Sequence, residues 1–150
     1  MARLKFSLPT AGKIALSSAT AKTILQARTP TNQAVVLLGF TVSFDGIVGT
    51  NTPVLLEVVR YSSNGTMTSA GTFKDDRGRG ETIQTGGFKN ATLEPATDEV
   101  IRNYLVHPQT GYERKFEYDE EIIVGGGTRI GLRLTAPDAV NVAGQMNLEE

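Results

Sequence analysis

Residues able to do chemistry are sparse in this chain, and their setting matters more than their number. His107 is the single histidine and there is no cysteine among 150 residues. HExxH sites, histidine clusters, thiolate zinc sites, cysteine nucleophiles and disulfide frameworks are all excluded on that count. His107 sits between Val106 and Pro108, with no GxSxG elbow elsewhere, so the sequence places it at the end of a strand with local hydrogen bonds. Carboxylates cluster at Asp75-Asp76 and at Asp119-Glu120-Glu121, hard oxygen ligands of the kind calcium takes. Neither run lies in a DxDxDG loop, and a solvated acidic turn guarding a strand edge accounts for both. Gly125-Gly126-Gly127 offers bare amides to a phosphate but lacks the GxxxxGK[ST] frame, which favours a tight turn between two strands. Arg77-Gly78-Arg79 suits an anion or an acidic partner surface and is too small for a nucleic-acid patch. The expectation is a protein without catalytic, cofactor or metal residues.

Composition agrees with one ordinary domain: 39% hydrophobic, 21% charged, 16 Gly, 6 Pro, no Trp. A chain of this length can bury a full apolar core without staples. The formal net charge of -1 argues against nucleic acid as partner. Charge is uneven, however: residues 1–75 carry seven Lys or Arg against three acids, and residues 76–150 carry eight against thirteen. Complementary strand edges explain such asymmetry, as does a polar face that docks on a charged partner. No run approaches the length of a membrane span, and the N-terminal stretch has no apolar core. Neither signal peptide nor anchor is expected, and no membrane contact.

The elements that must position these residues are strands, because apolar side chains recur every second position. Val36, Leu38, Phe40, Val42 and Phe44 read as one buried face, closed by a turn at Asp45-Gly46 and a loop over Ile47 to Thr52. Val54 to Tyr61 is a further strand, with Ser62-Ser63-Asn64-Gly65 as its turn and a second hairpin arm at Thr66–Thr68. Thr72 to Asn90 reads as a long exposed excursion. Residues 98–107 fit either a short helix capped by Asp98 or a two-sided strand. Near the C-terminus Ile130, Leu132 and Leu134 face in, as do Val140, Val142, Met146 and Leu148. With Ile14 to Leu16 and Lys22 to Arg28 this makes about eight strands, the signature of an antiparallel, jelly-roll-like β-sandwich. Residues 1–17 form an arm or edge strand, and 18–150 the single sandwich domain.

A family resemblance rests on segments in fixed order. These are Ser18-Ala19-Thr20-Ala21-Lys22-Thr23-Ile24-Leu25-Gln26, Val42-Ser43-Phe44-Asp45-Gly46, Pro53 to Arg60 with Gly65-Thr66, Glu94-Pro95, Val106-His107-Pro108 and Gly125 to Pro137. Together they resemble the small virion proteins encoded among the head genes of tailed bacteriophages, over roughly residues 18–150. The motifs are turns and strands, so they point to a family rather than to a mechanism. The resemblance implies a jelly-roll capsid decoration or cement protein, a homotrimer on the capsid exterior made in the host cytoplasm, with the major capsid protein as partner.

Under that reading Arg3, Lys5 and Lys13 in a basic arm, with Lys74, Arg77 and Arg79 as a second set, are the candidates for shell contact. Val35, Leu37, Leu55 and Val59 are apolar on the face that alternation leaves wet, which makes them candidates for a trimer interface, or for cover by the second layer of the same domain. A carbohydrate-binding jelly-roll module, on a phage head or tail fibre, is the alternative, with Tyr61, Tyr104, Tyr112 or Tyr118 stacking on sugar rings; the lack of Trp counts against it. A trimeric ligand of the tumour-necrosis-factor type shares the architecture but usually carries a signal or anchor segment.

Overall fold

In a computed structural model the chain is described over residues 3–45 and 52–150. The strands are β1 (Lys5–Pro9), β2 (Ile14–Leu16), β3 (Ala21–Arg28), β4 (Val35–Asp45), β5 (Val54–Tyr61), β6 (Thr66–Ala70), β7 (Phe73–Lys74), β8 (Gly86–Leu93), β9 (Thr97–Val106), β10 (Tyr112–Lys115), β11 (Ile122–Val124), β12 (Arg129–Thr135) and β13 (Val140–Glu149). They form two antiparallel sheets packed face to face. One runs β10-β4-β13-β1-β7, with β11 also on β4 and β2 also on β13; the other runs β6-β8-β3-β12-β5-β9. The β-sandwich read from the sequence is therefore present, with thirteen described strands where about eight were expected. Except for Thr52, the loop expected over Ile47 to Thr52 lies outside the described residues, as does Gly46.

None of the described ladders joins two strands adjacent in sequence. The turns are mostly arches from one sheet to the other rather than hairpins. The expected hairpin of Val54–Tyr61 with the segment after Gly65 is thus corrected: β6 pairs β8. Gly65 itself takes φ +59, and a Cβ there would lie 2.7 Å from the nitrogen of Pro95, so a glycine lets this turn lie against the segment leading into β9.

Between the sheets lies one apolar core. Phe6 and Leu8 of β1, Leu25 and Ala27 of β3, Val35, Leu37, Phe40 and Val42 of β4, and Leu56 and Val58 of β5 meet the expected inward faces of β12 and β13. Each such large side chain withdrawn from water contributes about 1.5–3 kcal/mol before entropy is counted. At one end Phe40 is ringed by Tyr104, Tyr112 and Phe116, with centroids 5.6, 6.0 and 6.1 Å away.

Three expectations change. In β4 the buried set is Val35, Leu37, Phe40 and Val42, while Val36 and Leu38 are half-exposed. The register against β13 passes from Asn147↔Gly39 to Leu148↔Leu37, so Leu38 is an unpaired bulge that reverses the alternation. The excursion over 72–90 ends early, because Gly86 onward is β8, paired with both β3 and β6. And residues 1–17, expected as an arm or an edge strand, are not a free arm: among the described ones β1 lies between β13 and β7, with Phe6 and Leu8 fully buried. Of residues 98–107, all but His107 belong to strand β9, which is interrupted by register shifts where it pairs β5.

Candidate docking surface

β1 and β7 are what bring the predicted basic residues together. Phe6 pairs Lys74 across the ladder, and the Asp75 amide donates to the Lys5 carbonyl at 3.0 Å. Alternation along β1 turns Phe6 and Leu8 into the core and leaves Lys5 exposed. Arg79 donates to the Arg3 carbonyl at 2.7 Å and pairs with Glu81. Arg3 in turn pairs with Glu149, whose carboxylate is almost wholly buried. Arg3, Lys5, Lys74, Arg77 and Arg79, two separate sets in the sequence, therefore share one edge of the sandwich. Lys13 does not join them, since it pairs with Asp45.

These cations differ in how far they are committed. The Lys74 ammonium donates to the carbonyls of Arg79 and Glu81, at 2.7 and 2.8 Å, and so shapes the loop after β7. The hydrogen bond from Arg79 pulls the Glu81 carboxyl down to about 2. Thr72, Phe73, Lys74, Arg77, Thr82 and Ile83 line a lateral groove of about 690 Å³. Phe73, which the sequence did not single out, stands in it 56% exposed.

The predicted trimer-interface set is not a surface. Val35, Leu37 and Val59 are completely covered by their own chain, the first two by the opposing sheet once the Leu38 bulge has reversed their direction. Leu55 is half-buried. Val59 lies on the outer face of the second sheet together with Tyr61, whose hydroxyl lies 2.7 Å from Thr23 Oγ1. Thr23 Oγ1 also donates to Glu94, and its amide donates to the same carboxylate. Glu94, Pro95 and Ala96 carry the chain from β8 to β9, with the Ser62 amide donating to the Ala96 carbonyl. Burial pushes the Tyr61 phenol well above its ordinary range. On the same face Arg28 stacks over Phe88 at 3.4 Å from the ring centroid, a cation–π contact.

The other sequence candidates fall into place locally. His107, expected at the end of a strand, directly follows β9; its Nδ1 accepts from the Gln109 amide, and its carbonyl accepts from the Gly111 amide. The amide of Gly127 donates to the Pro30 carbonyl and that of Thr128 to Thr29 Oγ1, so the glycine triplet is a tight turn whose last amide is taken up by the chain itself. Asp76 accepts from the Gly78 amide, Glu120 pairs with Arg114, and among the described residues no three acidic or histidine side chains are placed to share a metal ion. Of the tyrosines considered for sugar stacking, Tyr61 is buried, Tyr104 and Tyr112 pack on each other at 5.2 Å, and Tyr118 is exposed. No described helix is long and apolar enough to cross a membrane.

Fold and surface together define an antiparallel β-sandwich with one edge rich in charge of both signs, where Arg3, Lys5, Lys74, Arg77 and Arg79 stand among Asp75, Asp76, Glu81, Glu149 and Glu150. Comparison with known proteins returns no match to a family model, a curated protein or a solved structure.

Proposed function

We propose that this chain is a structural virion protein that binds the outer surface of a bacteriophage capsid as a homotrimer and stabilises the shell. The observation that carries the reading is the gathering of Arg3, Lys5 and Arg79 at the β1 end of one sheet, on a framework held by long-range ladders. Such a surface, with Arg3 and Arg79 held in ion pairs by Glu149 and Glu81 and Lys5 exposed beside them, presents fixed charge to a protein face, the partner being the major capsid protein. A rigid sandwich presents its contacts already ordered, so little entropy is lost on docking. Several weak contacts made at once by a trimer then add through effective concentration, and binding to the assembled shell stabilises it by mass action. The resemblance in the turn and strand segments supplies the phage context.

The test is co-sedimentation with empty phage shells. Wild-type chain pellets with shells near 50 mM salt and is released towards 0.5 M, where screening shortens to a few ångströms. Lys5→Glu, which alters an exposed side chain, keeps its melting temperature and loses most of the binding. Wild-type chain that stays in the supernatant at low salt, or Lys5→Glu that binds as well as wild type, would overturn the reading.

A further inference from the structure

On the outer face of the six-stranded sheet two arginines stand side by side without a counter-ion. Arg28 of β3 and Arg129 of β12 are directly opposite in the ladder, and their neighbours Ala27 and Ile130 point into the core, so both guanidiniums lie on the outer face. Like charges directly opposite in a sheet are destabilising. Arg3, Arg60, Arg79, Arg114 and Arg133 each pair with a glutamate. Among the described residues no carboxylate lies within ion-pair distance of Arg28 or Arg129.

The two guanidiniums are nonetheless held in place, and by neutral groups. The fully buried Gln26 accepts from Arg28 Nε at 2.7 Å, and its own side-chain amide donates to the Ser63 carbonyl at 3.4 Å. Phe88 stacks on Arg28 from the position left open by Gly86, which lies opposite Arg28 on β8 and whose Cβ, were there one, would come within 3.1 Å of the ring. Asn64 spans the pair: its carbonyl accepts from Arg28 Nη2 at 3.0 Å and its Oδ1 accepts from Arg129 Nε. Position is thereby fixed while the charge is left uncancelled. Nη1 of Arg28 and both terminal nitrogens of Arg129 have no partner among the described residues. Arg28, Phe88 and Arg129 are half-buried and Asn64 is exposed, so a solute can reach these donors. Partial burial, and after it the charge of Arg129, lower the Arg28 pKa from its ordinary value, and the guanidinium still keeps its proton at neutral pH.

We propose that Arg28 and Arg129 form a binding site for a doubly charged tetrahedral oxyanion, a phosphate or sulfate group. A dianion cancels both charges where a carboxylate cancels one, and guanidinium forks match its oxygens. Because Gln26, Asn64 and Phe88 order the two side chains in advance, little freedom is lost on binding. The site lies on the other sheet from Arg3 and Lys5, so it goes beyond shell contact and does not depend on it.

Isothermal titration of the full chain near pH 7.5 tests this, since phosphate, with a second pKa of about 6, is then a dianion. Inorganic phosphate and sulfate are expected to bind saturably, one ion per chain, and acetate about tenfold more weakly. Arg28→Gln and Arg129→Gln should each lose about tenfold or more, whereas Lys115→Gln, which removes an exposed cation from β10, should bind as wild type does. Glycerol phosphate separates the two sources of the group: affinity equal to that of inorganic phosphate shows that a monoester fits, and rejection assigns the site to the free ion. Should a variant fail to fold, the Nε–H signals of Arg28 and Arg129 in wild type decide by nuclear magnetic resonance. Both should shift with one midpoint as phosphate is added, while that of Arg133, bonded to Glu57, stays in place. Phosphate that binds no tighter than acetate, arginine variants that bind as wild type does, or Arg28 and Arg129 signals that do not move would overturn the proposal.

Discussion

Leu8→Ala separates an integral β1 from a loose N-terminal arm. Leu8 is wholly buried, and its side chain crosses to the opposite sheet, where the backbone of Gly87 comes so close that a Cβ there would collide with Leu8 Cδ1. Removing the leucine leaves a hole against a residue with no side chain to fill it. Core substitutions of this type cost about 2–5 kcal/mol, more where the surroundings cannot collapse. For a domain of this size each kcal/mol moves the melting temperature by about 2–4 °C. The expected loss is therefore about 4–20 °C, read by circular dichroism at fixed protein concentration so that self-association does not shift the baseline. Lys5→Ala, exposed on the same strand, is the control and should stay within about 0.5 kcal/mol of wild type. A Leu8→Ala melting point within about 2 °C of wild type would refute the placement of β1 inside the sheet.

Tyr61→Phe removes the hydroxyl bonded to Thr23 and should cost about 1 kcal/mol at neutral pH, measured by urea titration. It should also flatten the alkaline limb of the stability curve. Burial raises the Tyr61 phenol above its unfolded value near 10, so above about pH 10 the unfolded chain releases a proton that the folded chain retains. The stability this tyrosine contributes is complete below that pH and is lost as pH rises towards the folded value; identical slopes in wild type and variant would contradict this. Ala19 holds φ at +53, a left-handed conformation that costs an alanine about 1–2 kcal/mol. Ala19→Gly should therefore stabilise by a few tenths to about 1 kcal/mol after the extra freedom of an unfolded glycine is counted, and a destabilised variant would show the strain to be absent.

What was legible in the sequence was face, and what was not was partnership. Ile130, Leu132, Leu134 and Val140, Val142, Met146, Leu148 alternate without interruption, and they face inward as read. Period-two patterning fails where a bulge intervenes, and a bulge leaves no mark on composition. Leu38 reversed the face of Val35 and Leu37, and the register shifts at Ile101 and Asp98 blurred β9 enough to admit a helix. Leu4, Phe6 and Leu8 already alternate, yet the flanking cations and Pro9 left an arm and an edge strand equally open; proline is tolerated there because the β7 ladder reaches only Phe6 and Ser7. Gly86-Gly87 looked like loop, although Gly87 is small because Leu8 and the Ala70 carbonyl press against it. Which strands neighbour one another is carried by no local pattern here, since no described ladder is a hairpin. That is why the two basic sets, linked by the pairing of β1 with β7 and by the bond from Arg79 to the Arg3 carbonyl, could not be joined from sequence. Phe73 carried a weak signal, a lone aromatic beside Lys74 in a polar stretch.

Solution mass tests self-assembly most directly. Light scattering over a range of protein concentrations, with and without chelator, should give about 48 kDa, three times the 16.1 kDa chain, unchanged when metal is removed. A mass of one chain at every concentration would contradict it and leave the exposed edges of the sandwich to a different partner.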